Sequence, residues 1–157
     1  QQNGLVERKH KHLIETTITL LSQATMPSFY WSYAVLTAVT LINLLPTSVL
    51  DFNSHWSRLY SSPPNISQLK VFGYACYPNL RSYTPHKIAP RTKEYIFLGN
   101  HVGTKGYLYP DFETKHLRTS RHVLFYESKF PFSYITPPRS TPTSFSLPYD
   151  LTWFSSQ

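Results

Sequence analysis

The sequence predicts an α+β protein in which two helices precede a small β-barrel and a tail without fixed structure. Three observations carry that reading. Residues 16–50 contain no Asp, Glu, Lys or Arg and are apolar at helical spacing. From Leu69 the texture changes to short aromatic and β-branched runs broken by turn residues. After Phe132 the chain turns to Ser, Thr and Pro. The expected boundaries are 1–60 for the helical part, 61–132 for the barrel and 133–157 for a flexible linker.

The first helix is expected over residues 3–26. Asn3-Gly4 can cap it, and Val6, Leu13, Thr17, Leu20 and Ala24 recur on one face, with Ile14, Ile18 and Leu21 widening the stripe. Pro27 is expected to end it and to open the next helix. Residues 28–45 form a second apolar helix stopped by Pro46. A membrane span needs roughly 20 continuous apolar residues. Here Pro27 splits the run, and Ser32, Thr37, Thr40 and Asn43 dilute it, so a buried core helix is expected. Residues 47–68 read as a polar connection containing Pro63-Pro64. Strands are expected within 69–77, 94–102, 106–112 and around 122–127, with Gly99, Gly103 and Gly106 as punctuation. Several short strands in so few residues predict a barrel near the lower size limit for independent stability.

The 157 residues allow one ordinary domain or two small pieces, and 41% hydrophobic with 16% aromatic residues is enough to build a core. The chain starts at Gln1 without a charged-then-apolar leader, and reads as a piece of a longer product. Net charge is +7 and the pI about 9.5, which favours a polyanionic partner or an acidic membrane surface. Residues 1–60 set Arg8, Lys9, Lys11 and Arg58 against Glu7, Glu15 and Asp51. Residues 69–132 set ten Lys and Arg against Glu94, Asp111, Glu113 and Glu127, so the basic surplus belongs to the barrel. Cys76 is the single cysteine, which excludes an internal disulfide and a thiolate-rich zinc site and fits a reducing compartment.

Four ordered blocks carry a family resemblance. The first is Gln1-Gln2-Asn3-Gly4-Leu5-Val6-Glu7-Arg8-Lys9-His10. The second is Trp31, Ala34, Thr37, Ala38, Leu41-Ile42-Asn43 and Pro46. The third is Leu69-Lys70-Val71-Phe72-Gly73 with Cys76-Tyr77-Pro78. The fourth runs through Lys87, Pro90-Arg91, Phe97-Leu98-Gly99, Lys105-Gly106-Tyr107, Asp111, Ser120-Arg121-His122-Val123, Phe125, Glu127 and Phe130-Pro131-Phe132. Together they resemble the copia-type retrotransposon Pol polyprotein: the C-terminal part of its integrase core, then its SH3-like domain. There are departures. Tyr33 stands where the family has an acid, His55-Trp56-Ser57 replaces its Ser-Pro-Tyr, Pro110 occupies a strand position and Lys115 replaces a turn Gly. A strand Pro removes a ladder donor, and losing Gly at positive φ is costly.

The resemblance implies two C-terminal helices of an RNase H-like core, whose three carboxylates hold divalent metals for phosphoryl transfer. Oxygen ligands suit Mg²⁺, or Mn²⁺. Glu7 maps to the Glu of that triad, as catalytic residue and metal ligand, and the two Asp are expected before Gln1. On a helical wheel Glu7 projects near Ile14 and Ile18; an ordinary ion pair with Lys11 is the alternative. Lys11 and Arg8 are expected phosphate contacts on the helix; Arg91, Lys93, Lys105 and Arg121 are those of the barrel. His10 and His12, two apart on a helix, are poorly spaced to chelate one metal, and no G-x-S-x-G, P-loop or H-E-x-x-H occurs.

The expected function is that of a retrotransposon integrase fragment, involved in nucleic-acid binding and DNA integration. Its partners would be DNA, the upstream core and other integrase protomers, with no membrane. The parent would be a metal-dependent polynucleotidyl transferase, and the fragment alone is not expected to be active or to hold Mg²⁺ stably. The parent's location would be intracellular, in the nucleus or a cytoplasmic virus-like particle. Two alternatives stand beside it. One is a stand-alone SH3-like module binding nucleic acid or protein; the other is a membrane-associated protein anchored by residues 28–45.

Overall fold

The computed structural model describes residues 3–79, 92–101 and 105–134. The expected tail over 133–157 therefore lies almost wholly outside the described residues.

Helix α1 spans Asn3–Gln23. Pro27 does not end it, contrary to the sequence expectation. The Met26 N–H donates to the Leu21 carbonyl at 2.9 Å, with Thr25 between them at φ 51. That six-to-one bond around a left-handed residue closes a helix within the chain, so the stop comes before the proline. Pro27 instead caps a single 3-10 turn, Ser28–Tyr30, which leads into α2 (Trp31–Leu44). Helix α2 ends where Leu45 goes extended ahead of Pro46, as the proline ring demands.

The connection after α2 holds more structure than its polarity predicts. Strands β1 (Pro46–Thr47) and β2 (Asn53–Ser54) pair antiparallel, and helix α3 (His55–Tyr60) follows at once. The buried Ser54 hydroxyl accepts from the Ser57 N–H at 3.0 Å and caps α3.

Among the described residues six strands follow: β3 (Ala75–Pro78), β4 (Tyr95–Ile96), β5 (Gly99–Asn100), β6 (Tyr107–Asp111), β7 (His116–Ser120) and β8 (Val123–Tyr126). They form two antiparallel three-stranded sheets, ordered β4-β3-β8 and β5-β6-β7. The expected strand over 69–77 is shortened at its start, because Gly73 turns at φ 81 and the Tyr74 N–H bonds back to Val71. Strand β7, HLRTS, was not expected, since it lacks an alternating apolar pattern; it pairs along all of β6. Pro110 costs that pairing nothing. The carbonyls of Gly106 and Leu108 accept from His101 and Leu98, so even-numbered residues of β6 turn their backbone groups toward β5. Pro110 shares that parity, two residues past the end of the β5 ladder.

Helices and barrel share one core. Leu21, Ala24, Met26, Tyr30, Tyr33 and Ala34 cluster with Phe72, Ile96, Leu98 and Leu108. Tyr33, where an acid was expected, is 3% exposed in this cluster. A Cβ added at Gly73 would sit 2.3 Å from the Ala24 Cβ, and one at Gly99 (φ 121) would sit 2.9 Å from the Thr37 hydroxyl. Glycine at both positions lets the barrel backbone approach the helical layer. A second cluster, Cys76, Tyr95, Phe97 and Tyr109, fills the barrel itself. Among the described residues no helix is long and apolar enough to cross a membrane. The 14 residues of α2 span about 21 Å, short of the roughly 30 Å of a bilayer core.

Candidate nucleic-acid interface

The N-terminal half of α1 stands clear of the core. Residues 5–12 are all exposed, including Glu7, Arg8 and Lys11. Lys11 pairs with Glu15 at 3.8 Å rather than with Glu7. The face that Glu7 shares with Ile14 and Ile18 is open, Ile18 being 53% exposed. Among the described residues no group of three or more His, Cys, Asp or Glu gathers around a point that could hold a metal. Glu7 can offer one oxygen-ligand group, and a two-metal centre needs several more.

In the barrel, every acidic residue is already matched. Lys70 pairs with Glu127 at 2.8 Å, Arg118 with Asp111 at 2.8 Å, Lys129 with Glu94 at 2.6 Å, and Lys93 with Glu113. Two of these pairs belong to larger networks. Glu94 also accepts from the hydroxyls of Tyr77 and Tyr134, each at 2.5 Å. Burial alone would raise its pKa, but the bonds from Lys129, Tyr134 and Tyr77 outweigh that and hold the carboxyl below its ordinary value. Asp111 is 4% exposed and accepts from the Glu113 N–H at 3.0 Å. Burial raises its pKa too, and hydrogen bonds from Thr114 and Glu113, with the Arg118 charge, bring it below the usual range.

Exposed ion pairs contribute little stability, but they set where uncompensated charge remains. Of the sequence-predicted contacts, Lys93 spends its charge on Glu113. Arg91 lies outside the described residues. Lys105 and Arg121 are exposed and have no acidic partner among the described residues. The Tyr107–Ser120 pairing sets them side by side at the open end of the β6–β7 hairpin, Lys105 two residues before β6 and Arg121 one after β7. His101 and His122 reach the same end: the His101 N–H donates to Gly106, and the His122 carbonyl accepts from Asn79, both bonds near 3 Å. Sequence reasoning gave neither histidine a role, His122 appearing only as part of the fourth block, because only the strand register brings them beside the two cations. Lys115 is a third unmatched cation, at the hairpin's opposite end with φ 56.

This geometry can hold a phosphate-bearing polymer. Long cationic side chains at a hairpin end can bridge backbone phosphates without reading base edges.

Residues 74–138 match the retroviral polymerase SH3-like domain. The chain is 47% identical over 133 residues to the retrovirus-related Pol polyprotein from transposon RE1 of Arabidopsis thaliana, covering 85% of the chain. It is 49% identical over the same length to that from transposon RE2 of the same plant. It is 31% identical over 129 residues, 82% of the chain, to that from transposon TNT 1-94 of Nicotiana tabacum. The matched segments make up 9% of the first two relatives and 10% of the third. No solved structure matches.

Proposed function

Because the chain belongs with the copia-type retrotransposon Pol polyproteins and carries their SH3-like domain, we propose that it serves DNA integration as a nucleic-acid-binding segment of an integrase. One observation carries this reading: four of the barrel's cations are cancelled in place, while Lys105 and Arg121 are left together and unpaired at one hairpin end. That edge meets the DNA backbone without sequence preference.

The exposed start of the α1 helix serves the same task. Arg8 and Lys11 reach phosphates, Lys11 by exchanging Glu15 for the polymer. Glu7 contributes one carboxylate to a Mg²⁺- or Mn²⁺-dependent centre, whose other ligands come from the RNase H-like core preceding these helices in the parent protein. The metal would activate the attacking oxygen and stabilise the leaving one. In this chain Glu7 supplies a ligand on an exposed helix face, and the basic residues beside it position the strand. Such a role places the parent in the nucleus or a virus-like particle.

The test is a fluorescence-anisotropy titration of the whole chain against a duplex of about 30 base pairs across several salt concentrations. Each neutralised phosphate contributes a log–log slope near −0.9. Replacing both Lys105 and Arg121 by Glu should make the slope shallower by roughly 2, whereas Lys93→Gln should change it little. Absence of binding at low salt, or equal losses from all three positions, would overturn the reading.

A further inference from the structure

We infer that the outer face of β3 and β8 is a stacking platform for unpaired bases, so that the barrel prefers nucleic acid with a single-stranded stretch. The inference rests on the nucleic-acid reading of the hairpin end that this face adjoins.

Strand register decides which side chains share the face. Cys76 pairs with Phe125, and both belong to the cluster that fills the barrel. Side chains alternate along a strand, so Tyr77, opposite Leu124, and Tyr126, opposite Ala75, lie on the other face. His122 has the parity of Leu124 and Tyr126, and its carbonyl extends the ladder by accepting from the Asn79 N–H. Where Ala75 pairs with Ile96 the face is covered, since Ile96 is buried in the cluster shared with the helices. Along β8 nothing among the described residues covers it: Leu124 is 72% and Tyr126 62% exposed. A sheet face turned to water ordinarily carries polar residues. An apolar and aromatic one beside unmatched charge marks an interaction site.

Two features select the ligand. The first is rigidity. The Tyr77 hydroxyl donates to Glu94 at 2.5 Å, and its ring meets that of Tyr126 edge to face, 5.9 Å apart at 69°. Surfaces ordered in advance lose little entropy when a ligand settles on them. The second is charge. Followed backward, β8 leads straight to Arg121, the unmatched cation set beside Lys105. A polyanion held there carries its next nucleotides over Leu124 and Tyr126. Glu94 does not repel it, because Lys129 matches that carboxylate at 2.6 Å. A duplex keeps its base faces inside its own stack and offers phosphates and groove edges. Unpaired nucleotides expose those faces, and they stack on aromatic rings whatever the sequence.

The test compares, at one salt concentration, a blunt duplex with a duplex of equal phosphate number that ends in an overhang of about eight thymidines. The whole chain should bind the overhang probe about fivefold or more tightly. Tyr126→Ala should remove that preference and leave affinity for the blunt duplex unchanged, with the same thermal melt because the ring is exposed. Tyr126→Phe should keep the preference, since stacking uses the ring face and not the hydroxyl. Equal affinity for the two probes would overturn this inference and leave the reading of the hairpin end standing, whereas failure to bind either would sink both. A preference that survives Tyr126→Ala, or that Tyr126→Phe removes as completely, would overturn it as well.

Discussion

The two halves of α1 carry the same amphipathic pattern and meet opposite fates. From Leu13 onward one side of the stripe is packed: Thr17, Leu21 and Ala24 are buried, and the last two join the cluster that runs into the barrel, while Ile18 on the other side stays 53% exposed. Before Leu13 it is bare, with Leu5 58% and Val6 65% exposed. Periodicity tells which face of a helix is apolar, but not whether anything covers it. The difference divides the helix by what a mutation reports: the second half answers for the fold, and the first, being exposed, leaves the fold untouched.

The largest effect should come where the packed half meets the barrel. Gly73→Ala places a methyl 2.3 Å from the Ala24 Cβ at a backbone with φ 81, so neither neighbour can yield cheaply. A loss of about 3 kcal/mol or more is expected in thermal or denaturant unfolding. Wild-type stability in this variant would mean that the second half of α1 is not seated on the barrel at all.

Acid should produce a smaller loss, confined to the barrel side. Glu94 and Asp111 both have depressed folded pKa values. Their contribution is complete above the ordinary carboxylate range, about 4, and disappears as pH falls through the lower folded values. The midpoint of unfolding should therefore hold steady from pH 7 to 5 and decline below about 4. Glu94→Gln should cost about 1 kcal/mol at neutral pH and flatten that decline. An identical acid profile for the variant would exclude the Lys129–Tyr77–Tyr134 network as a source.

A gain of similar size is expected at the hairpin turn. Lys115 occupies φ 56, where the resemblance places glycine. Lys115→Gly should raise stability by about 1 kcal/mol, and a drop would show that the lysine side chain supports the turn.

The smallest effects should lie at the exposed positions of α1, in either half. Val6→Ser, Glu7→Gln and Glu15→Gln should each shift stability by less than about 0.5 kcal/mol. In a restored integrase, only Glu7→Gln of the two acid changes should abolish strand transfer. Equal losses from Glu7→Gln and Glu15→Gln would break the contrast between the halves.

Legibility from sequence followed the strength of local signals. The two helices and the turn to strand texture near Leu69 were readable because apolar spacing and proline act locally. The stop of α1 was misplaced because Thr25, an ordinary residue, took the left-handed role that glycine or proline would have advertised. Strand β7 was missed because it is an edge strand whose residues are exposed or half-buried, which removes the alternation that marks a strand. The shared core of helices and barrel was equally hidden, since Gly73 reveals its role only through what a Cβ there would strike. For the site, residue types were legible and arrangement was not. Ten basic residues could be counted from the sequence, but which ones keep their charge depended on Glu94, Asp111, Glu113 and Glu127 finding partners up to 57 residues away.

The chain also contains a clock for its own opening. Cys76 is its single thiol, wholly buried in β3, and burial together with the nearby Glu94 pushes its pKa up to about 12. Alkylating reagents attack the thiolate, so the folded barrel denies them both access and ionisation. Each adduct must therefore record one excursion in which β3 separated from β4 or β8. Because no second thiol competes, the mass of the intact chain can take only two values, and at reagent concentrations that trap the thiol before the strands reclose their ratio over time gives the opening rate. Followed in the presence of nucleic acid, that rate would distinguish a ligand that merely decorates the barrel's edge from one that holds its strands together.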